Sequence, residues 1–128
     1  MASPMKVLYV EDNALVRELT VELLADGERQ ITAVATAEEA LSVDPLRFDL
    51  VITDVSLPGM SGVDFARRLQ AIDASLPIIL VSGYRLDTEE FRLGPNIRAI
   101  TKPFGSPELD ALIHELSPAL KRRSGSEP

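Results

Sequence analysis

The segment from Asp49 to Gly62 reads Asp-Leu-Val-Ile-Thr-Asp-Val-Ser-Leu-Pro-Gly-Met-Ser-Gly, and it limits the possible folds more than any other part of the chain. A short apolar run, Leu50 to Ile52, leads to a carboxylate at Asp54, and a loop with Pro58, Gly59 and Gly62 follows at once. A short apolar run flanked by breakers reads as a buried strand entering a loop. Proteins that alternate strands and helices place their ligand chemistry at the carboxyl ends of such strands. Asp54 is therefore a candidate functional group if other strand ends bring it partners.

Four further runs read as strands: Lys6–Val10, Gln30–Val34, Pro77–Val81 and Ile97–Thr101. Pro77–Val81 is continuously apolar, as expected of a strand buried on both faces. The intervals read as helices. Asn13 is a plausible N-cap for the first, in which Leu15, Val16, Leu19, Leu23 and Leu24 recur at helical spacing. Arg17, Glu18 and Glu22 are assigned to its wet face, and Asp26-Gly27 to its end. Thr36 and Glu39 form a capping-box pattern that opens a short helix through Leu41, before Pro45. Val63, Phe65, Ala66 and Leu69 mark a third helix, with Arg67, Arg68 and Gln70 outside. A second capping pattern, Asp87 to Glu90, opens a short fourth helix that Gly94-Pro95 ends. Ser106-Pro107 opens the last helix, whose stripe is Leu109, Leu112, Ile113, Leu116 and Leu120. Lys121-Arg122-Arg123 suit the negative end of its dipole.

Five strands alternating with five amphipathic helices predict an α/β fold, a parallel sheet covered on both faces. The length of 128 residues fits one domain, 1–128, with a core at about 5–120 and a frayed tail over 121–128. Cysteine is absent and histidine occurs once, at His114, so disulfides, thiolate chemistry and multi-histidine metal sites are excluded. A net charge of −7 argues against nucleic acid and anionic membranes as partners. No apolar run has the length of a membrane span, and Met1 to Lys6 opens no secretory leader, so the expected compartment is the cytoplasm.

Four strand ends are polar: Glu11-Asp12, Asp54, Ser82 and Lys102. In a parallel sheet they share one edge. Three carboxylates there repel one another unless something neutralises them. Mg²⁺, a hard cation that takes a few oxygen ligands and keeps several waters, answers that need. Lys102 adds a positive charge and Ser82 a hydroxyl donor. Together they suit a phosphoryl group carried on a carboxylate. Asp54 is the candidate nucleophile, because aspartate forms acyl phosphates. Mg²⁺ and Lys102 would neutralise the oxygens of the transferring group.

The chain resembles the receiver domain of two-component response regulators. Four segments carry the resemblance: Val10 to Asn13, Thr53 to Gly62, Val81 to Gly83 and Thr101 to Phe104. They come in family order and at family spacing, and the likeness covers essentially the whole domain. It implies a flavodoxin-like, doubly wound sheet in the strand order 2-1-3-4-5. It implies Asp54 as phosphoacceptor, with the donor a phosphohistidine on a histidine kinase or histidine phosphotransfer protein. Asp12 and Asp54 would bind Mg²⁺ directly, Glu11 through water, and Ser56 through its backbone carbonyl. Ser82 would report the phosphoryl group, Lys102 would pair with it, and the bond before Pro103 would be cis. The chain departs from the family at Ala99, where many members carry an aromatic residue that couples to the hydroxyl. Tyr84 is a candidate substitute. The protein would be a monomer or weak homodimer, either a complete regulator or a receiver cut from a hybrid kinase or larger regulator.

Singly, these residues have ordinary explanations. Asp54 could cap a turn and Glu11-Asp12 could be an acidic helix start. Ser82 could simply end a strand, and Lys102 could be solvated. Their joint placement favours the functional reading. His114 reads as a partly buried or surface histidine and not a phosphodonor, and Arg67-Arg68 and Lys121 to Arg123 read as solvated faces. A Mg²⁺-dependent phosphatase of the haloacid dehalogenase type is a competing class, but it needs a second aspartate where Ser56 stands. Flavin or nucleotide binding needs a phosphate loop where Glu11-Asp12 would repel phosphate. A degenerate receiver used only for protein contact is disfavoured by the complete set of site residues.

Overall fold

The computed structural model describes residues 4–25, 28–84 and 94–123. Strands β1 (Met5–Val10), β2 (Arg29–Val34), β3 (Leu50–Asp54), β4 (Ile78–Ser82) and β5 (Ile97–Thr101) form one sheet in the order β2-β1-β3-β4-β5. Every pair is parallel. This is the flavodoxin-like topology. The order reverses beside β1, so a crevice opens at the carboxyl ends of β1 and β3.

The helices are α1 (Ala14–Leu24), α2 (Ala37–Ser42), α3 (Gly62–Ile72), α4 (Ser106–Glu115) and α5 (Ser117–Arg123), with a 3₁₀ turn over Pro45–Arg47. Successive strand side chains point to opposite faces, so each central strand feeds two cores. On one face Leu8, Val10, Val51 and Leu80 meet Phe65, Ala66 and Leu69 of α3. On the other Val7, Tyr9, Ile52 and Val81 meet Leu24, Leu109, Ile113 and Leu116. All of β3 and β4 is buried, as their unbroken apolar runs require. The capping box at α2 forms as read: Glu39 N donates to Thr36 Oγ1 at 3.0 Å, and Thr36 N to Glu39 Oε1 at 3.2 Å.

Three expectations are corrected. The stripe assigned to α1 does not face the sheet as a whole: Leu15 and Leu19 are 64% and 56% exposed, while Thr20 and Leu24 are buried. Arg17, assigned to water, is half-buried, because its guanidinium reaches back to the end of β1. The last helix is also not continuous, for it breaks at Leu116 into α4 and α5. Pro118 has no N–H to give the His114 carbonyl, and Ser117 Oγ donates there instead, at 2.6 Å. The stripe survives the break, with Leu109, Ile113, Leu116 and Leu120 all buried. The short helix expected from Asp87 and the helix end at Asp26-Gly27 lie outside the described residues. Among those residues no helix is long and apolar enough to cross a membrane.

Candidate functional site

The sheet register brings the polar strand ends together. Val10 pairs with Thr53, which sets Glu11 beside Asp54, and Ser82 pairs with Thr101, which sets Lys102 next in line. Backbone bonds carry each turn past the strand: Glu11 N to Val34 O at 3.1 Å, Val55 N to Val81 O at 2.8 Å and Lys102 N to Ser82 O at 2.7 Å.

Glu11 is buried, and each of its oxygens has a donor: Lys102 Nζ at 2.9 Å and Asn13 N at 3.0 Å. Asp54 is 5% exposed and is held the same way, by Lys102 Nζ at 2.8 Å and Ser56 N at 3.0 Å. Lys102 therefore bridges two buried carboxylates with one ammonium. Burial holds the Glu11 carboxyl above its ordinary value, and nearby Asp54 adds to that, against the lowering pull of Asn13 N and Lys102. Burial also works to lower the Lys102 pKa, but Asp54 and Glu11 outweigh it and raise it. Asp12 is exposed, yet Glu11, Asp12 and Asp54 each offer a carboxylate oxygen, all within 4.8 Å of one another. Such a donor set fits a hard divalent cation completed by water.

Ser82 is buried at the same edge, where its Oγ accepts from Tyr84 N at 3.1 Å. A hydroxyl that accepts keeps its own proton to give. The Tyr84 ring is 61% exposed. Ala99 is half-buried against the first core. The Lys102–Pro103 bond is cis.

The loop after Asp54 is closed by contacts that local sequence patterns did not reveal. Gly62 N donates to Val55 O at 2.9 Å, and a Cβ on Gly62 would collide with the Asp54 carbonyl. Only glycine lets α3 start this close to the site. Gly59 takes a left-handed φ of 71° beside Glu38, whose Oε2 accepts from Met60 N at 3.1 Å. Glu38 thus ties α2 to the loop. Asn13 serves as the expected N-cap, its Oδ1 accepting from Val16 N at 3.0 Å.

Comparison with known proteins agrees with this geometry. A family model for the response regulator receiver domain matches residues 7–114. The two-component response regulator PhoP of Pseudomonas aeruginosa is 38% identical over 124 residues, covering 94% of this chain and 54% of PhoP. The DNA-binding response regulator MtrA of Mycobacterium tuberculosis is 35% identical over 127 residues, covering 96% of this chain and 53% of MtrA. The chain thus spans about half the length of the curated relatives it matches. Among solved structures, response regulator protein TrrA of Thermotoga maritima, in complex with Mg²⁺-BeF, is 29% identical with a TM-score of 0.75, over 88% of this chain and 98% of that one. The parallel five-stranded sheet, the acidic crevice bridged by lysine and the family match point the same way: the chain belongs to the response regulator receiver domain family.

Proposed function

We propose that Asp54 is the phosphoacceptor of this receiver and takes its phosphoryl group from a phosphohistidine on a histidine kinase or histidine phosphotransfer protein. One observation carries the reading: Asp54 is buried and oriented on both oxygens, with two more carboxylates within 4.8 Å and Lys102 Nζ at 2.8 Å. A carboxylate fixed in this way can be aligned with an incoming phosphorus, and its neighbours can neutralise what arrives.

In the transfer an Asp54 oxygen forms the new O–P bond while the donor's N–P bond breaks. The electron pair returns to the imidazole. Lys102 pairs with a phosphoryl oxygen, and the Ser82 hydroxyl donates a hydrogen bond to another. Asp12, Asp54, the Ser56 carbonyl and, through water, Glu11 would hold Mg²⁺, which when bound would supply positive charge beside the phosphoryl oxygens. The likeness to TrrA, solved in complex with Mg²⁺-BeF, supports reading the cluster as a Mg²⁺ site. Where a haloacid dehalogenase-type phosphatase needs its second acid this chain has Ser56, which carries no carboxyl, and that favours a switch over a phosphatase. The donor must cover the rim to bring its histidine to Asp54. Leu15 and Leu19, exposed on the helix that begins at that rim, offer it apolar contact. MtrA is a DNA-binding response regulator. In this reading nucleic acid is not a partner of these 128 residues themselves, whose net charge is −7, and the domain acts in the cytoplasm.

The test is backbone amide NMR with Mg²⁺ and beryllofluoride. Large shifts are expected near Asp54, Ser82 and Lys102, and none in Asp54→Asn. A wild-type chain without any Mg²⁺-dependent response would sink the phosphoacceptor reading.

A further inference from the structure

One carboxylate of the cluster is positioned without being held. Both oxygens of Glu11 and both of Asp54 have donors. Asp12 is exposed, and among the described residues nothing donates to its carboxylate. It nevertheless places an oxygen within 4.8 Å of the other two. Its direction must come from the backbone on either side.

After Asp12, Asn13 is pinned twice: its N–H donates to Glu11 Oε2 at 3.0 Å, and its Oδ1 accepts from Val16 N at 3.0 Å. Before Asp12, the peptide that joins it to Glu11 is held through its carbonyl, which accepts from Arg17 Nη1 at 2.8 Å. A peptide unit is planar, so fixing that carbonyl fixes the N–Cα bond of Asp12 and the cone its side chain can sweep. Arg17 lies between Leu15 and Leu19 in sequence, yet it is half-buried while they are exposed. The rotation of α1 gives up leucine burial and keeps this bond.

We propose that Arg17 is a positioning residue for the cation cluster: by holding the Glu11 carbonyl it aims Asp12 at the metal. The proposal rests on reading the cluster as a Mg²⁺ site. Two effects of Arg17 oppose each other. Its charge repels a cation, so on charge alone its removal would tighten Mg²⁺ binding. Its hydrogen bond orients a ligand, so on geometry its removal would loosen binding. Bonds that orient metal ligands change affinity by roughly 10–100-fold. A charge at a solvated rim is screened and has less effect. Geometry prevails, and the net result is weaker binding.

The experiment is a Mg²⁺ titration of the whole chain followed by amide shifts, with a thermal midpoint for each variant. The variants are Arg17→Met, Arg17→Lys, Asp12→Asn and the double substitution Arg17→Met with Asp12→Asn. Arg17→Met, which keeps the apolar stem, is expected to weaken Mg²⁺ about tenfold. Arg17→Lys should restore most of that, and most of the loss should disappear in the Asp12→Asn background, where no carboxylate remains to be aimed. Unchanged or tighter binding in Arg17→Met overturns the proposal. So does the same loss with or without Asp12, or a lowered midpoint with an unaltered dissociation constant. If Arg17→Met does not fold, Arg17→Gln is read by the same criteria. A wild-type chain that does not bind Mg²⁺ removes the site reading and this proposal together. Tight binding by both wild type and Arg17→Met removes this proposal alone.

Discussion

Helices α1 and α3 are each 11 residues long and cover opposite faces of the sheet, yet they are fastened by different physics. Helix α3 buries Gly62, Val63, Phe65, Ala66 and Leu69, an apolar stripe of ordinary width. Helix α1 buries only Thr20 and Leu24. Its start is tied to the end of β1 by polar contacts: Asn13 N and Arg17 Nη1 both donate to Glu11. Apolar packing is indifferent to the charge state of the site. A helix fastened to a site carboxylate is not. The contrast separates a helix held by apolar packing from one tied to a carboxylate of the site, with Leu15 and Leu19 left exposed.

The most severe test of this contrast is Phe65→Ala. Phe65 is fully buried, and its truncation should cost about 3–5 kcal/mol. Urea unfolding would measure that, and Mg²⁺ affinity of the folded fraction should be unchanged. A change in that affinity would show that α3 also governs the site. Gly62→Ala should follow at about 1–3 kcal/mol, because the new methyl must displace the Asp54 carbonyl. Here the Mg²⁺-dependent amide shifts around Asp54 should change as well, since the displaced atom belongs to Asp54. Unperturbed shifts would mean that the loop yields without moving the acceptor.

A third test uses pH under α1. Tyr9 lies beneath that helix against Thr20, and burial pushes its phenol up to about 12. The unfolded phenol ionises near pH 10 while the folded one keeps its proton, so this contribution to stability is full below pH 10 and lost between 10 and 12. Relative to Tyr9→Phe, the wild type should lose on the order of 2 kcal/mol across that range. Lys102 also titrates at alkaline pH but is common to both proteins and cancels. Denaturant midpoints at several pH values would show the difference. Parallel curves would mean that the Tyr9 hydroxyl under α1 is as well solvated as in the unfolded chain.

The same contrast explains what could be read from the residues. The stripe of α3 was legible because burial alone sets its rotation. The rotation of α1 was not, because Arg17 is bound by a carbonyl six residues back, which no apolar period records. Glu11, Asp12, Asp54 and Lys102 were legible as a group, since strand ends in a parallel sheet share an edge. That Lys102 bridges Glu11 and Asp54, across 91 and 48 residues, needed the fold. Glu38 carried no signal in the sequence, because its partner is a backbone amide 22 residues away. Ser82 fell at the expected edge, but the group it touches is the amide of Tyr84, whose ring stays in solvent.

The smallest expected effect on stability is also the sharpest probe of α1. Leu15→Ser and Leu19→Ser remove side chains that are 64% and 56% exposed, so each should change unfolding free energy by no more than about 0.5 kcal/mol. Phosphotransfer from a histidine donor should nevertheless slow, because the donor loses apolar contact at the rim it must cover. A small phosphodonor such as acetyl phosphate needs no such contact and should phosphorylate the variants at the wild-type rate. Measured side by side, the two donors separate docking from chemistry. A stability loss approaching that of Phe65→Ala would mean that α1 is packed like α3. Equal slowing with both donors would place the leucines' effect on Asp54 rather than on the partner. An unaltered rate with the protein donor would leave these leucines exposed for some purpose other than phosphotransfer.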